Sequence, residues 1–162
     1  MIREMRYSDG MRVLQIYAFG LETGDATFET TVPRWDDWWL GHLRHSRLVC
    51  ELDADVVGWV ALSPVSARRA YSGVAEISLY VAGHCLGQGI GSRLMQAVIS
   101  ASEAHGIWTL YASLFPENTA SVRLLEKLGF RRVGIREKIA SVKGVWRDTL
   151  IMERRSQVVG VT

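Results

Sequence analysis

Hydrophobic positions along this chain follow two rhythms, a period of two and a period near 3.6, and the switches between them outline the elements. Residues 1–7 alternate apolar and charged side chains like a short strand, and Ser8-Asp9 then offers N-cap chemistry for a helix running to about Leu21. Residues 24–31 are polar around Phe28 and read as a loop. Pro33 and the acids after it open a second helix, which puts Trp35, Trp38 and Trp39 on one face, a stripe suited to packing on the core or on a partner copy. Residues 48–52 and 56–62 flank Asp53-Ala54-Asp55 as a β-hairpin, and a loop with Arg68, Arg69 and Tyr71 follows. Residues 74–81 alternate again, with Ile77, Leu79 and Val81 on one face and Glu76, Ser78 and Tyr80 on the other. The pattern then predicts a helix over 89–105, a strand over 108–114, a helix over 118–128 closed by Gly129, and strands over 130–139 and 145–154. Helices lie between strands while hairpins interrupt the alternation. The expected fold is therefore α/β, with a mixed, mostly antiparallel central sheet flanked by helices.

The helix predicted from Gly89 is preceded by Leu86-Gly87-Gln88 and continues Ile90-Gly91-Ser92-Arg93. Alternate glycines let backbone N–H groups converge without obstruction by Cβ atoms, and the helix start adds unpaired donors and the positive end of its dipole. Such a turn suits a phosphate or pyrophosphate. It is not a P-loop, because no Gly-Lys-Ser or Gly-Lys-Thr follows. A dinucleotide fingerprint would need glycine where Ser92 stands and an acid about twenty positions on, where the chain reads Tyr111-Ala112-Ser113. On its own, the turn is a moderate signal that an ordinary strand-to-helix corner also produces.

Length and composition narrow the field. The 162 residues suffice for one domain, expected over 1–155 with a tail at 156–162, and 48% hydrophobic with 22% charged residues is ordinary for a globular protein. A net charge of +2 gives no sign of nucleic-acid binding. No apolar run approaches a membrane span, and Cys50 and Cys85 lack metal or redox spacing, so a cytoplasmic protein with free thiols is expected. His42, His45, His84 and His105 are not joined by an acidic ligand at metal-binding spacing, and no metal is expected.

The glycine turn follows Glu76-Ile77-Ser78-Leu79-Tyr80-Val81 and precedes Asn118-Thr119-Ala120-Ser121 and Leu128-Gly129-Phe130 by one βα unit. This combination, over nearly the whole chain, resembles the GNAT superfamily of N-acetyltransferases. Within it, Ala26-Thr27-Phe28-Glu29, Val57-Gly58-Trp59, Arg68 with Ala70-Tyr71, and Lys143-Gly144-Val145-Trp146-Arg147-Asp148 resemble the branch acting on phosphinothricin and methionine sulfoximine. Two positions depart from the family pattern. Leu86 stands where arginine or glutamine is usual, which removes a side-chain contact to the cofactor. Leu125 stands where many relatives carry a tyrosine or histidine acid, and leucine cannot protonate a thiolate.

The resemblance implies acetyl transfer from acetyl-CoA to the primary amine of a small amino-acid-like acceptor, in a homodimer. It implies that Gly87, Gln88, Gly89, Ile90, Gly91 and Ser92 hold the pyrophosphate and that Leu79, Tyr80 and Val81 lend backbone hydrogen bonds to the pantetheine, with Asn118 and Ser121 beside it. Asn118 is equally suited to cap the helix that follows it. A base must deprotonate the amine, and Glu76 is the candidate, acting directly or through water, with Tyr80 as a candidate acid. Arg68 is the candidate carboxylate clamp, Phe28, Glu29 and Tyr71 line the acceptor pocket, and Lys143 adds positive charge. A protein N-terminal acetyltransferase and a non-catalytic acyl-CoA-binding module are the alternatives.

Overall fold

Strands β1 (Ile2–Glu4), β2 (Leu48–Leu52), β3 (Asp55–Pro64), β4 (Val74–Val81), β5 (Thr109–Leu114), β6 (Arg131–Val142) and β7 (Val145–Arg155) form one sheet in the computed structural model, which describes all residues from Met1 to Thr162. Their order is β1-β2-β3-β4-β5-β7-β6, and only β4 and β5 run parallel. Four helices complete the chain: α1 (Gly10–Thr23), α2 (Trp35–Gly41), α3 (Ile90–Ala104) and α4 (Thr119–Lys127). The α/β fold with a mostly antiparallel sheet is thus as the hydrophobic pattern implies.

The parallel pair shapes the site. β4 is hydrogen-bonded to β3 from Ala75 to Val81, but to β5 only where Val74, Ala75 and Glu76 face Thr109, Leu110 and Tyr111. Past Glu76 the two strands part. The crossover between them is α3, whose Ile90, Leu94, Met95 and Val98 are buried against the sheet. Gly58 on β3 allows this approach, since a Cβ there would lie 3.1 Å from both Ile90 Cγ2 and Leu94 Cδ1.

At the centre of the core, Trp59 is fully buried and donates from Nε1 to the Val13 carbonyl at 3.1 Å. Trp38, Tyr80 and Tyr17 surround it at ring separations of 5.2, 5.1 and 6.1 Å. The tryptophan stripe of α2 is therefore engaged within its own chain. Trp35 stacks on Trp38, and Trp39 lies under the Arg47 guanidinium, which donates to the carbonyls of Trp39, His42 and Leu43 where α2 ends.

Local differences from the sequence pattern have physical causes. The Asp9 carboxylate does not cap α1. It accepts from the Arg6 N–H at 2.7 Å and pairs with Arg3 at 2.9 Å, so a short 3-10 turn over Tyr7–Asp9 precedes the helix. Strand β6 runs to Val142 rather than Ile139, because its register slips between Arg136 and Ala140, with Lys138 at φ +45°, and the slip hides the two-residue period. The β6–β7 tip is Lys143-Gly144, both left-handed at φ +51° and +79°, as a two-residue hairpin turn requires. Beyond β7, the Ser156 hydroxyl donates to Glu103 at 2.6 Å, and Arg155 donates to the carbonyls of Val159 and Gly160, so residues 156–160 lie against the domain.

Candidate functional site

The glycine turn presents its amides outward. Gly87 and Gly89 sit at φ +77° and +78°, with no atom near the place where a Cβ would go. None of the N–H groups from Gly87 to Ser92 finds an acceptor within the protein, and the first main-chain bond of α3 is Arg93 to Gly89. Gly87, Gln88, Gly89, Ile90, Gly91 and Ser92 thus form a nest of free donors at the positive end of a helix. The Gln88 side chain folds back to the His84 carbonyl at 3.4 Å, and Leu86 is exposed at the rim.

Where β4 and β5 part, a cavity of about 200 Å³ opens. Glu76, Leu79 and Tyr80 line it from β4, Ser113 and Leu114 from β5, Asn118, Ser121 and Leu125 from α4, and Ala26 and Thr27 from the loop after α1. Val81 ends β4 just before the turn. Asn118 caps α4 by accepting the Ser121 N–H on Oδ1 at 3.3 Å, and its amide nitrogen has no partner in the protein. Leu125 is buried and presents only hydrocarbon.

Glu76 is half-buried, and removal from water pushes its carboxyl above the ordinary range, with Arg136 of β6 opposing the shift. Arg136 pairs with Thr149 through the backbone of the β6–β7 ladder while its guanidinium makes no salt bridge, and nothing in the spacing of β6 singles it out. Tyr80 is packed edge-on against Tyr17 at 5.0 Å, and its ring lies over Gly20, where a Cβ would come within 2.5 Å. Burial raises the Tyr80 phenol, with Tyr17 adding to the shift and the Thr27 side chain facing the hydroxyl. It stays protonated throughout the neutral range.

The remaining candidates separate. Phe28 meets Phe115 edge-on at 5.0 Å, beside the cavity rather than in it. Glu29 and Lys143 line a neighbouring cavity of about 310 Å³, and Thr27 is a wall common to both. Arg68 and Tyr71 are exposed on the loop before β4 and line neither. Thr27, Ser113 and Arg136 were not legible as site residues, because each owes its place to tertiary packing. No group of three His, Cys, Asp or Glu side chains could hold a metal ion; His42 stacks on Trp38, and His45 on His105.

A carboxylate of raised proton affinity, an open strand edge and, beyond the end of β4, an amide nest therefore follow one another along the chain from Glu76 to Ser92. Such an order suits an extended ligand with an anion at one end and a reacting group near a base at the other.

Comparison with known proteins agrees with that geometry. The model of the Acetyltransferase (GNAT) family matches residues 12–130. The chain is 32% identical over 163 residues to phosphinothricin N-acetyltransferase of Alcaligenes faecalis, covering 94% of this chain and 81% of that protein. A phosphinothricin acetyltransferase from Sinorhizobium meliloti, solved in complex with acetyl-CoA, superposes with a TM-score of 0.89 at 25% identity, covering 100% of this chain and 91% of that one. Ribosomal-protein-alanine N-acetyltransferase from Brucella melitensis superposes with a TM-score of 0.89 at 27% identity, covering 96% and 99%.

Proposed function

The chain belongs to the Acetyltransferase (GNAT) family, and we propose that its acceptor is the primary amine of a small amino-acid-like molecule of the phosphinothricin or methionine sulfoximine type. The observation that carries this reading is the half-buried Glu76 carboxyl at the point where β4 and β5 separate. An amine is largely protonated at neutral pH, and a carboxylate whose proton affinity is raised is the better base toward it. In this reading the acetyl-CoA pyrophosphate accepts from Gly87 to Ser92, and its pantetheine bonds to the free edge of β4 at Leu79, Tyr80 and Val81. The amide nitrogen of Asn118 and the hydroxyl of Ser121 flank the arm. The neutral amine attacks the thioester carbonyl, Glu76 takes the amine proton, and the carbon–sulfur bond breaks to release the thiolate. Tyr80, whose phenol holds its proton tightly, supplies a hydrogen bond to the developing negative charge rather than a transferred proton. Solvent then protonates the thiolate, since Leu125 supplies no acid.

Phe28, Glu29 and Lys143 are assigned to the acceptor side, next to Thr27. Arg68 and Tyr71 are assigned to the acceptor only through a change in the loop before β4 or a contribution from a second copy. A homodimer is part of the proposal, supported by the exposed apolar positions Val133, Ile135, Ile139, Val145 and Trp146 on the β6–β7 hairpin. No helix is long and apolar enough to cross a membrane, and the free thiols Cys50 and Cys85 support a reducing, cytoplasmic setting.

The test is turnover. Acetyl-CoA with phosphinothricin or methionine sulfoximine is expected to release free CoA, from protein with a dimer's mass by light scattering. Transfer to peptide N-termini alone would favour the second reading, to which the Brucella melitensis likeness lends support. Saturable CoA binding with no transfer to any amine would leave a binding module.

Gly91 offers an independent check of the cofactor path. Its Cβ would lie between Leu79 and Leu124, two side chains of the cavity wall, in ordinary van der Waals contact with both at 3.5 and 3.6 Å. Gly91→Ala is expected to hold or raise the melting temperature, since alanine favours helix by up to about 1 kcal/mol. Acetyl-CoA affinity is expected to fall about tenfold, the scale of a modest steric clash of ~1.4 kcal/mol. Unchanged affinity by calorimetry would move the cofactor away from the gap between β4 and α4.

A further inference from the structure

The segment 24–32 carries two residues of the cavity wall, Ala26 and Thr27, yet its own backbone does not hold it in place. No residue from Asp25 to Pro33 makes a main-chain to main-chain hydrogen bond. Its internal bonds are local turns, Asp25 N–H to the Thr23 hydroxyl at 3.3 Å and Glu29 N–H to the Thr27 hydroxyl at 3.2 Å.

The restraints come from elsewhere in the chain and converge on Arg147 of β7. Its Nη1 donates to the Gly24 carbonyl at 2.9 Å, and its guanidinium carbon lies 3.6 Å from the centre of the Phe115 ring. Phe115 in turn receives Phe28 edge-on, with the rings 85° apart in plane. Gly24 and Phe28 bracket Ala26 and Thr27, so one side chain secures both ends of the wall. Arg147 also approaches Asp25 at 3.8 Å and Glu117 at 3.4 Å, but those carboxylates are largely exposed and water screens the pairs. The Gly24 bond and the aromatic stack are sheltered, the arginine side chain being only 18% exposed.

We propose that Arg147 is a positioning residue for the acceptor side of the site: it latches the 24–32 segment to the start of the β5–α4 connection and so keeps Thr27 opposite Tyr80. The kinetic consequence rests on the acetyl-transfer reading above; the latch itself does not. A ligand that binds only when the wall is in place sees its apparent affinity reduced by the fraction of time the wall is there. If loss of the latch leaves the wall formed about one-tenth of the time, the acceptor KM rises about tenfold. Turnover at saturating acceptor changes little, because Glu76 and the amide nest lie on β4 and α3.

Arg147→Met keeps a long apolar side chain against Phe115 but removes the bond to Gly24, and Arg147→Lys keeps the charge without the planar fork. Two readouts are required. Cleavage after Glu29 by a glutamyl endopeptidase under native conditions is expected to quicken about tenfold in Arg147→Met, and by less in Arg147→Lys, with no matching rise at other sites. Acceptor KM is expected to rise about tenfold with kcat and acetyl-CoA affinity within about twofold. Unchanged cleavage after Glu29, or faster cleavage throughout the chain, overturns the latch. Faster local cleavage with an unchanged acceptor KM overturns its link to the acceptor. If the unaltered protein acetylates no amine, the functional reading fails, and the cleavage comparison still decides the latch.

Discussion

Glu76→Gln is expected to lower turnover at neutral pH by about 10²-fold or more, the usual scale for loss of a positioned general base, while acetyl-CoA affinity stays within about twofold. Glutamine preserves size and hydrogen bonding and removes only the proton acceptor. In the unaltered protein, kcat/KM is expected to fall as pH drops through the Glu76 pKa, and burial sets that limb above the ordinary carboxylate range. The variant loses this limb. Equal rates with equal pH dependence in both proteins would mean that the amine loses its proton to solvent.

The same substitution has a stability signature. The folded pKa of Glu76 lies above its unfolded value, so well below both values no ionisation penalty exists. As pH rises through the folded pKa the penalty becomes complete, and it persists at neutral pH. Glu76→Gln is therefore expected to raise the melting temperature at pH 7 and to lose this advantage in acid. A slower but more stable protein separates a working carboxylate from a structural one, whose removal would lower both quantities.

Trp59→Ala is expected to cost about 3–5 kcal/mol, measured as a shift in the urea midpoint at constant slope. Against a typical total stability of ~5–15 kcal/mol, that loss is large. Trp59 is fully buried, bonds α1 through the Val13 carbonyl and touches Trp38, Tyr17 and Tyr80. It also stands opposite Tyr80 in the β3–β4 register, so the void would open directly beneath the cavity. Trp59→Phe should retain much of the burial and lose the N–H bond. A cost below about 1 kcal/mol for the alanine variant would mean that the aromatic cluster closes over the gap.

What the sequence revealed, and what it hid, divides by the range of the interactions. β4 was legible because alternation from Val74 to Val81 is a local property, and the glycine turn because positive φ demands glycine at Gly87 and Gly89 wherever the chain goes next. The end of β6 was obscured because a register slip erases alternation, and Asp9 misled because an arginine six residues earlier competes for its carboxylate. Placement was harder to read than type. Arg68 and Tyr71 carry suitable chemistry for an acceptor clamp, yet their loop leaves the sheet at the end of β3 and keeps them exposed outside the cavity. Arg136 and Thr27 meet the site from β6 and from an irregular segment, and neither position carries a periodic signal.

The separation of β4 from β5 has a consequence for the protein's handling in solution. Beyond Glu76, β4 has hydrogen-bonding partners on one side only, so the molecule carries an unsatisfied strand edge in the middle of its sheet rather than at its border. At a border, such an edge invites another chain to add itself. Here the gap is narrow and walled by α4 and the 24–32 segment, which excludes a folded neighbour but admits a slender, strand-like molecule. Whatever fills the gap completes the sheet. At a hundred times its dissociation constant it would also stabilise the fold by about 2.7 kcal/mol, so shelf life and resistance to clumping become functions of cofactor supply.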